Sequence, residues 1–85
     1  MEFELYSIYD AQAQTYTPPM AQPNDAVAMR AFEHEAMNSQ SLWNSHPQDF
    51  VMYKVGLFYA NTGECIQYTP IERICCAADF VRKEK

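Results

Sequence analysis

The sequence predicts an α+β fold in which a small antiparallel sheet packs against one main helix. Segments rich in aromatic and β-branched residues indicate strands, one segment has the apolar periodicity of a helix, and a turn motif joins two of the predicted strands. The strands are expected at about residues 3–9, 50–59 and 64–69, the main helix at about 25–37, and a short C-terminal helix at about 71–78.

The first strand is indicated by the segment FELYSIYD, residues 3–10, because apolar and acidic side chains alternate at its start. The connection that follows, residues 11–23, contains three prolines and shows little periodicity. We therefore expect it to be extended, with Pro18 and Pro19 close to the polyproline II conformation.

The main helix is predicted by residues 24–38, where Asn24 or Asp25 can cap the first turn. One arc of this helix collects six apolar residues: Val27, Ala28, Met29, Ala31, Phe32 and Ala36. Glu35 falls inside the same arc. Either the end of the helix lifts off the sheet and Glu35 reaches water, or Glu35 is a buried carboxylate with a raised pKa.

Residues 39–49 form a polar connection, in which Leu42 and Trp43 are expected to pack on the core. Its last four residues, HPQD, are typical of a turn that enters a strand. Pro47 disfavours helical backbone at His46, and an aspartate side chain can accept hydrogen bonds from nearby amides.

The strand at 50–59 is apolar on both faces. One face collects Val51, Tyr53, Val55, Leu57 and Tyr59, and the other collects Phe50, Met52 and Phe58 beside Lys54 and Gly56. Such a strand is usually central and covered on both sides. Because the sequence offers one strong helix, the second cover is expected from the C-terminal segment or from another subunit. Phe50, Met52 and Phe58 are the candidate residues of an oligomer interface.

The segment ANTGE, residues 60–64, is typical of a hairpin turn in which Gly63 supplies the left-handed backbone conformation. The return strand follows at 64–69. Beyond it two patterns fit: Pro70 suits the first position of a helix over 71–78, whereas alternation of Ile74, Cys76, Ala78 and Phe80 suits a strand. We favour the helix.

Length and composition bound the class of protein. Eighty-five residues are expected to form a single domain, 1–85, and a hydrophobic content of 48% excludes a disordered chain. No apolar run approaches the roughly 18–20 residues of a membrane span, and no signal peptide opens the chain. We expect no membrane association, a cytosolic location and reduced cysteines.

The sequence gives no support for catalysis or for a cofactor. Cys65, Cys75 and Cys76 lack the paired spacing of a zinc site, and no phosphate-binding or dinucleotide-binding motif is present. His46 and Asp49 are close in sequence, but Cys65 lies beyond a strand of about ten residues, so roughly 20–30 Å separates it from them. The protein is therefore predicted not to be an enzyme, with no metal and no cofactor.

The net charge of −5 is the wrong sign for a protein that coats nucleic acid. The basic residues are scattered, apart from a cluster at the C-terminus. If the chain binds DNA, the candidate contacts are Arg82, Lys83, Lys85, Arg30 and Lys54, with Tyr53 as a stacking residue. Tyr53, Tyr59 and Tyr68 could project together, although packing is the commoner use of tyrosines.

Three segments occur in the order LYSIYDAQAQTYTPPM, PNDAVAMRAFEHE and HPQDFVMYKVGLFYANTGE. Together they resemble the small non-structural protein of gokushovirus-type microviruses, which are single-stranded DNA phages. The resemblance covers about residues 3–64. It implies a DNA-binding protein of the bacterial cytoplasm that takes part in viral DNA replication, or in the switch to single-strand synthesis and packaging. The implied partner is viral DNA, single-stranded rather than duplex.

The acidic charge and the implied DNA binding are compatible if DNA contact is local or is made by a homo-oligomer. A main contact with a phage replication or capsid protein is the alternative, as an oligomeric interaction module without direct DNA binding. An acidic surface that imitates DNA towards a basic partner is a further hypothesis.

Overall fold

The five strands of the structure, a computed structural model that describes residues 1–81, form one antiparallel sheet. They are β1 (Glu2–Asp10), β2 (Thr15–Tyr16), β3 (Met20–Gln22), β4 (Phe50–Tyr59) and β5 (Cys65–Cys76). The strand order is β2-β1-β4-β5, and β3 pairs with the same edge of β1 as β2 does. The predicted α+β class is confirmed, and the strand predicted at 50–59 has the predicted bounds.

The main helix, α1 (Asp25–Ala36), is confirmed almost at its predicted bounds. The side chain of Asn24 accepts a hydrogen bond from the amide of Val27 at 2.9 Å and so caps the first turn. The remaining helical elements among the described residues are short: α2 (Leu42–Ser45) and two 3₁₀ turns, Pro47–Asp49 and Ala77–Asp79. None of the helices within residues 1–81 has the length and apolar character needed to cross a membrane.

The core lies between α1 and one face of the sheet, which we call the helix side. Its buried cluster joins three residues of α1, four of β1 and β4, and two near the C-terminal end of the described chain: Ala28, Phe32, Ala36, Tyr6, Ile8, Phe50, Met52, Cys75 and Ala77. Ala36 is fully buried within this core, so the end of α1 is packed rather than lifted off, and the interpretation in which it lifts off is wrong. Glu35 is half-buried beside it.

Trp43 ties the connection after α1 to the core, as predicted. Its ring centroid lies 4.8 Å from that of Phe32 and 5.6 Å from that of Phe50. The same prediction is wrong for Leu42, which is 64% exposed. Successive positions of a helix point about 100° apart, so α2 can bury one of these two neighbours and leave the other in water.

The connection over 11–23 is more ordered than predicted, because two parts of it pair with the outer edge of β1. Tyr16 lies opposite Tyr9, and Ala21 lies opposite Leu5. Between the two short strands, the hydroxyl oxygen of Thr17 accepts a hydrogen bond from the amide of Ile8 at 3.0 Å. An uncovered strand edge offers a row of unpaired backbone groups, and this segment satisfies them.

A bulge divides β4 into two parts. Lys54 lies opposite Tyr6, whereas Gly56 lies opposite Leu5, so Val55 is an extra residue in the ladder. Beyond it the alternation of side chains is shifted by one position. By register, Leu57 and Tyr59 lie on the helix side, and Phe58 lies on the opposite face, which we call the open face. The two predicted faces of this strand are therefore wrong beyond Lys54.

The helix predicted over 71–78 is wrong, because β5 continues to Cys76. The return strand predicted at 64–69 can pair only with the second half of β4. The first half then lacks a neighbour, and Glu72 and Cys75 provide it by pairing with Lys54 and Met52. Residues 65–67 of β5 pair with one half of β4 and residues 72–76 with the other. The four residues between them, 68–71, lie opposite Val55 alone.

Candidate nucleic-acid interface

The residues first considered for catalysis lie at two ends of the sheet. Cys65 pairs with Phe58 near one end of β4, whereas His46 precedes the turn that leads into Phe50 at the other end. The carbonyl of His46 accepts a hydrogen bond from the amide of Asp49 at 3.1 Å, so these two residues build the turn. His46 and Cys65 are not brought together. The absence of enzymatic activity stays a prediction.

The other two cysteines are core residues at the His46 end of the sheet. Cys75 lies opposite Met52, and burial raises the pKa of its thiol to about 11, so the thiol is neutral at pH 7. The thiol of Cys76 donates to the carbonyl of Pro47 at 3.3 Å. Within residues 1–81, no group of three or more His, Cys, Asp or Glu side chains is placed to hold a metal ion.

All acidic residues of the strands lie on the helix side. Residues opposite one another in an antiparallel pair share a face, as do residues two apart on a strand. By this register, the same side as buried Tyr6 carries four carboxylates: Glu2, Glu4, Asp10 and Glu72. The acidic charge of the sheet is therefore confined to one of its two faces.

A polar network connects the helix side to the first turn of α1. The hydroxyl of Tyr6 donates to the carboxylate of Asp25, and the ammonium group of Lys54 lies 3.1 Å from the same carboxylate. The hydrogen bond from Tyr6 is the main cause that lowers the pKa of Asp25, with burial opposing it and Lys54 adding to it. Burial and the bond to Asp25 raise the pKa of Tyr6, so its hydroxyl stays protonated.

The open face carries a cluster of three tyrosines, Tyr9, Tyr16 and Tyr53. The ring centroids of Tyr9 and Tyr16 are 4.7 Å apart, and those of Tyr16 and Tyr53 are 5.8 Å apart in an edge-to-face arrangement. Tyr53 lies opposite Ser7 of β1. Because serine is small, the ring of Tyr16 can reach Tyr53 across the strand that separates them.

Two adjoining hollows extend from this cluster across the open face. The first has a volume of about 320 Å³, and Tyr16, Thr17 and Gln67 are among its lining residues. The second, of about 260 Å³, reaches Gly56 and Cys65, and both hollows share Val55 and Gln67. The tyrosines and hollows together form a groove with an apolar floor and a few polar groups.

The strands place one charged residue on the open face, Arg73, which lies opposite Tyr53. Its neighbours by register on that face are aromatic, aliphatic or uncharged polar residues. The groove is thus free of strand carboxylates, in a chain whose net charge is −5. A surface of this kind can stack planar groups and hold one phosphate.

Comparison with known protein families places the chain among bacteriophage proteins. The model of the family described as Phage ORF5 protein matches residues 3–80. The chain belongs to this family. No curated protein matches the chain, and no solved structure matches it.

The predicted DNA contacts of this phage protein are spread over the molecule. Tyr53 lies on the open face, Arg30 is exposed on α1, and Lys54 lies on the helix side. The Lys54 side chain is 16% exposed and is already paired with Asp25 and, at 3.8 Å, with Glu72. The other predicted contacts, Arg82, Lys83 and Lys85, lie outside the described residues.

Tyr53, Tyr59 and Tyr68 do not project together, because the bulge places Tyr59 on the helix side. Tyr68 is also there, and its hydroxyl donates to Glu4 at 2.9 Å. Sequence reasoning missed Tyr9 and Tyr16, the actual neighbours of Tyr53. Their signal is weak: each stands in a segment with strand-forming residues, but only the pairing of β2 with β1 brings them together.

The structure separates the three residues predicted for an oligomer interface. Phe50 and Met52 are buried beneath α1 within one chain, so their apolar surface is already covered. Phe58 is half-buried on the open face, where it lies opposite Phe3. An interface between copies would therefore use Phe58 with other residues of the open face.

Proposed function

We propose that this phage protein is the small non-structural protein of a gokushovirus-type microvirus and binds single-stranded viral DNA through the open face. It acts in the cytoplasm of the host, in viral DNA replication or in the switch to single-strand synthesis and packaging. The observation that carries the proposal is the tyrosine cluster beside Arg73, on a face without strand carboxylates.

Tyrosine rings favour single strands over a duplex. Bases of a single strand are free to stack on aromatic side chains, whereas bases of a duplex are already stacked on one another. Tyr16 is 49% exposed and forms the outer edge of the cluster. Thr17 and Gln67 line the hollow next to it, and their polar side chains suit the polar edge of a base.

Phosphate contacts are fewer than in a basic DNA-binding protein. Arg73 is placed beside the cluster, and the C-terminal residues Arg82, Lys83 and Lys85 supply further positive charge in the sequence. Each neutralised phosphate of a single strand adds about 0.7 to the slope of log affinity against log salt. We therefore expect a moderate slope, with stacking supplying much of the affinity.

The test is a salt series of fluorescence anisotropy with labelled oligothymidylate and the corresponding duplex. We expect Tyr16→Ala to weaken binding of the single strand by about 5-fold or more, since stacking contributes about 1–3 kcal/mol per base. Tyr59→Ala is the matched control, because it removes a tyrosine from the other face of the same sheet. Arg73→Gln and removal of residues 82–85 should each reduce the salt slope.

Equal losses for Tyr16→Ala and Tyr59→Ala would contradict the proposed surface. Absence of any anisotropy change at low salt and high protein concentration would contradict DNA binding altogether. Tighter binding of the duplex would contradict the stacking mechanism, because the duplex offers no free base faces.

A second candidate function is an oligomeric interaction module that contacts a replication or capsid protein without binding DNA. The apolar character of the open face favours it, because Leu5, Val55 and Phe58 are only half-buried there. Light scattering with Phe58→Ser as the variant separates the two functions. A dimer that dissociates in the variant, together with no DNA binding in either form, would favour the module.

A further inference from the structure

A cavity of about 320 Å³ lies on the helix side, between α1 and the sheet edge formed by β3. Buried Tyr6, Ile8 and Met52 form its floor, and Ala28 and Ala31 line it on α1. It exists because small side chains on the helix do not fill the space in front of β3. Its size is at the lower end of the range for ligand-binding pockets, roughly 300–1,000 Å³.

Two polar side chains, those of Glu35 and Gln22, reach this otherwise apolar cavity. Glu35 is half-buried and forms no ion pair with another residue among 1–81. A carboxylate at the edge of an apolar cavity favours an occupant that combines an apolar group with a positive charge. Binding of such an occupant would explain why a carboxylate, Glu35, falls within the apolar arc of α1.

The surroundings of the cavity are acidic over a long distance. The helix side carries four strand carboxylates, and α1 adds Asp25 and Glu35. Of the three lysine and arginine residues in the strands and α1, Arg73 lies on the open face, Lys54 is already paired with carboxylates, and Arg30 is exposed on α1. Glu2 and Asp10 are eight residues apart on β1, which corresponds to roughly 26 Å. Carboxylates spread this widely suit a segment of protein chain better than a small ligand.

We propose that the cavity docks a basic segment of a partner protein, which inserts one large apolar side chain beside Glu35. Lysine or arginine residues of that segment then lie against the carboxylates of the helix side. Buried apolar anchors supply most of the affinity of such interfaces, and complementary charge supplies the rate and the selectivity. The docking site lies on the opposite side of the sheet from the tyrosine groove, so it does not depend on DNA binding.

The probe is a short blocked peptide with one phenylalanine between pairs of lysines, titrated into protein labelled at its methionine methyl groups. Met20 and Met52 line the cavity, whereas Met1 and Met37 do not. We expect the NMR signals of Met20 and Met52 to shift and those of Met1 and Met37 to stay. A peptide with alanine in place of phenylalanine, and one with glutamates in place of lysines, should each bind at least about tenfold more weakly.

Two variants test the cavity by affinity. Ala31→Trp fills the mouth of the cavity and should lower the affinity for the peptide by about tenfold or more, whereas Met37→Trp adds the same ring outside it. Glu35→Gln should lower the affinity several-fold, whereas Glu33→Gln, on the outer surface of α1, should change it less than twofold. Circular dichroism establishes that each variant folds.

The methyl shifts test the proposal even if Ala31→Trp does not fold. Absence of shifts at Met20 and Met52 at saturating peptide would overturn it. Equal binding of the lysine and glutamate peptides would also overturn it, as would tight binding of a free aromatic amine that outcompetes the peptide, because the site would then belong to a small ligand.

Discussion

The helix side and the open face of the sheet differ in what covers them and in the charges they carry. Beneath α1, Tyr6, Ile8 and Met52 are almost completely buried, and carboxylates surround the packed region. On the open face, Tyr16 and the half-buried Tyr53 form a cluster next to a single arginine, and no helix among residues 1–81 covers them.

This difference teaches that net charge is a poor guide to what a small protein can bind. A value of −5 is a sum over the whole molecule, in which the carboxylates of the strands all lie on one side of the sheet. The conflict between an acidic composition and an implied affinity for DNA disappears when each face is considered separately. The helix side carries the strand carboxylates and the buried core, whereas no helix among residues 1–81 covers the tyrosines of the open face.

The largest expected effect tests whether stability resides on the helix side. Phe32→Ala should lower the free energy of unfolding by about 3–5 kcal/mol, because it removes a buried ring that packs on Trp43 and Phe80. Phe58→Ala on the open face is the matched control, with an expected loss below about 2 kcal/mol. Urea unfolding followed by circular dichroism measures both. Equal losses would mean that the open face is packed in solution, as in an oligomer.

An intermediate effect is expected at Gly56, where the open face does not tolerate a side chain. A Cβ atom at this position would approach the backbone carbonyl of Ile66 more closely than van der Waals contact allows. Gly56→Ala should therefore lower the free energy of unfolding by about 1–3 kcal/mol. Gly63→Ala, in the hairpin turn, meets no steric clash but is strained by its positive φ of 80°, so comparing their urea midpoints separates crowding from backbone strain.

The smallest effect is the dependence of stability on pH through the polar network. The pKa of Asp25 is lowered in the folded protein, so its stabilisation is present above the unfolded value of about 4 and is lost as the pH falls through the folded value. The side chain is 43% exposed, so the contribution is about 1 kcal/mol or less.

Asp25→Asn should flatten the decline of stability below about pH 4, since the substituted side chain does not titrate. Thermal unfolding between neutral and acid pH measures the change. Asp79→Asn is the control, because Asp79 caps the 3₁₀ turn outside this network. An unchanged acid profile in Asp25→Asn would contradict a contribution of this network to the pH dependence of stability.

The sequence was sufficient to predict elements whose signals are local. The bounds of β4 follow from its ten strand-forming residues, and α1 follows from its cap at Asn24 and its apolar arc. The path of β5 beyond residue 69 was not predictable in this way, because it depends on the need of β4 for a neighbour. Two local patterns fitted that segment, and the favoured helix is wrong because long-range pairing with β4 makes it a strand.

The candidate interface was less predictable than the fold. The single extra residue at Val55 reverses the faces of Phe58 and Tyr59, and the only local signal for it is Gly56, since a glycine inside a strand can mark a bulge. Tyr53 was predicted as a stacking residue, but its partners come from β1 and β2, which meet it only through the order of the strands. The alternation of side chains within one strand reveals neither a bulge nor the order of the strands in the sheet.

The sorting of carboxylates to one face also gives the sheet an electric dipole directed from one face to the other. The principal extents of the molecule are 49 × 24 × 19 Å, so the two faces are separated by only a few times the screening length of about 8 Å at physiological salt. Near a polyanion, such a dipole produces a torque that turns the acidic side outward before any contact is made. The acidic charge would then orient the protein as it approaches DNA, so that the tyrosines of the open face make the first contact.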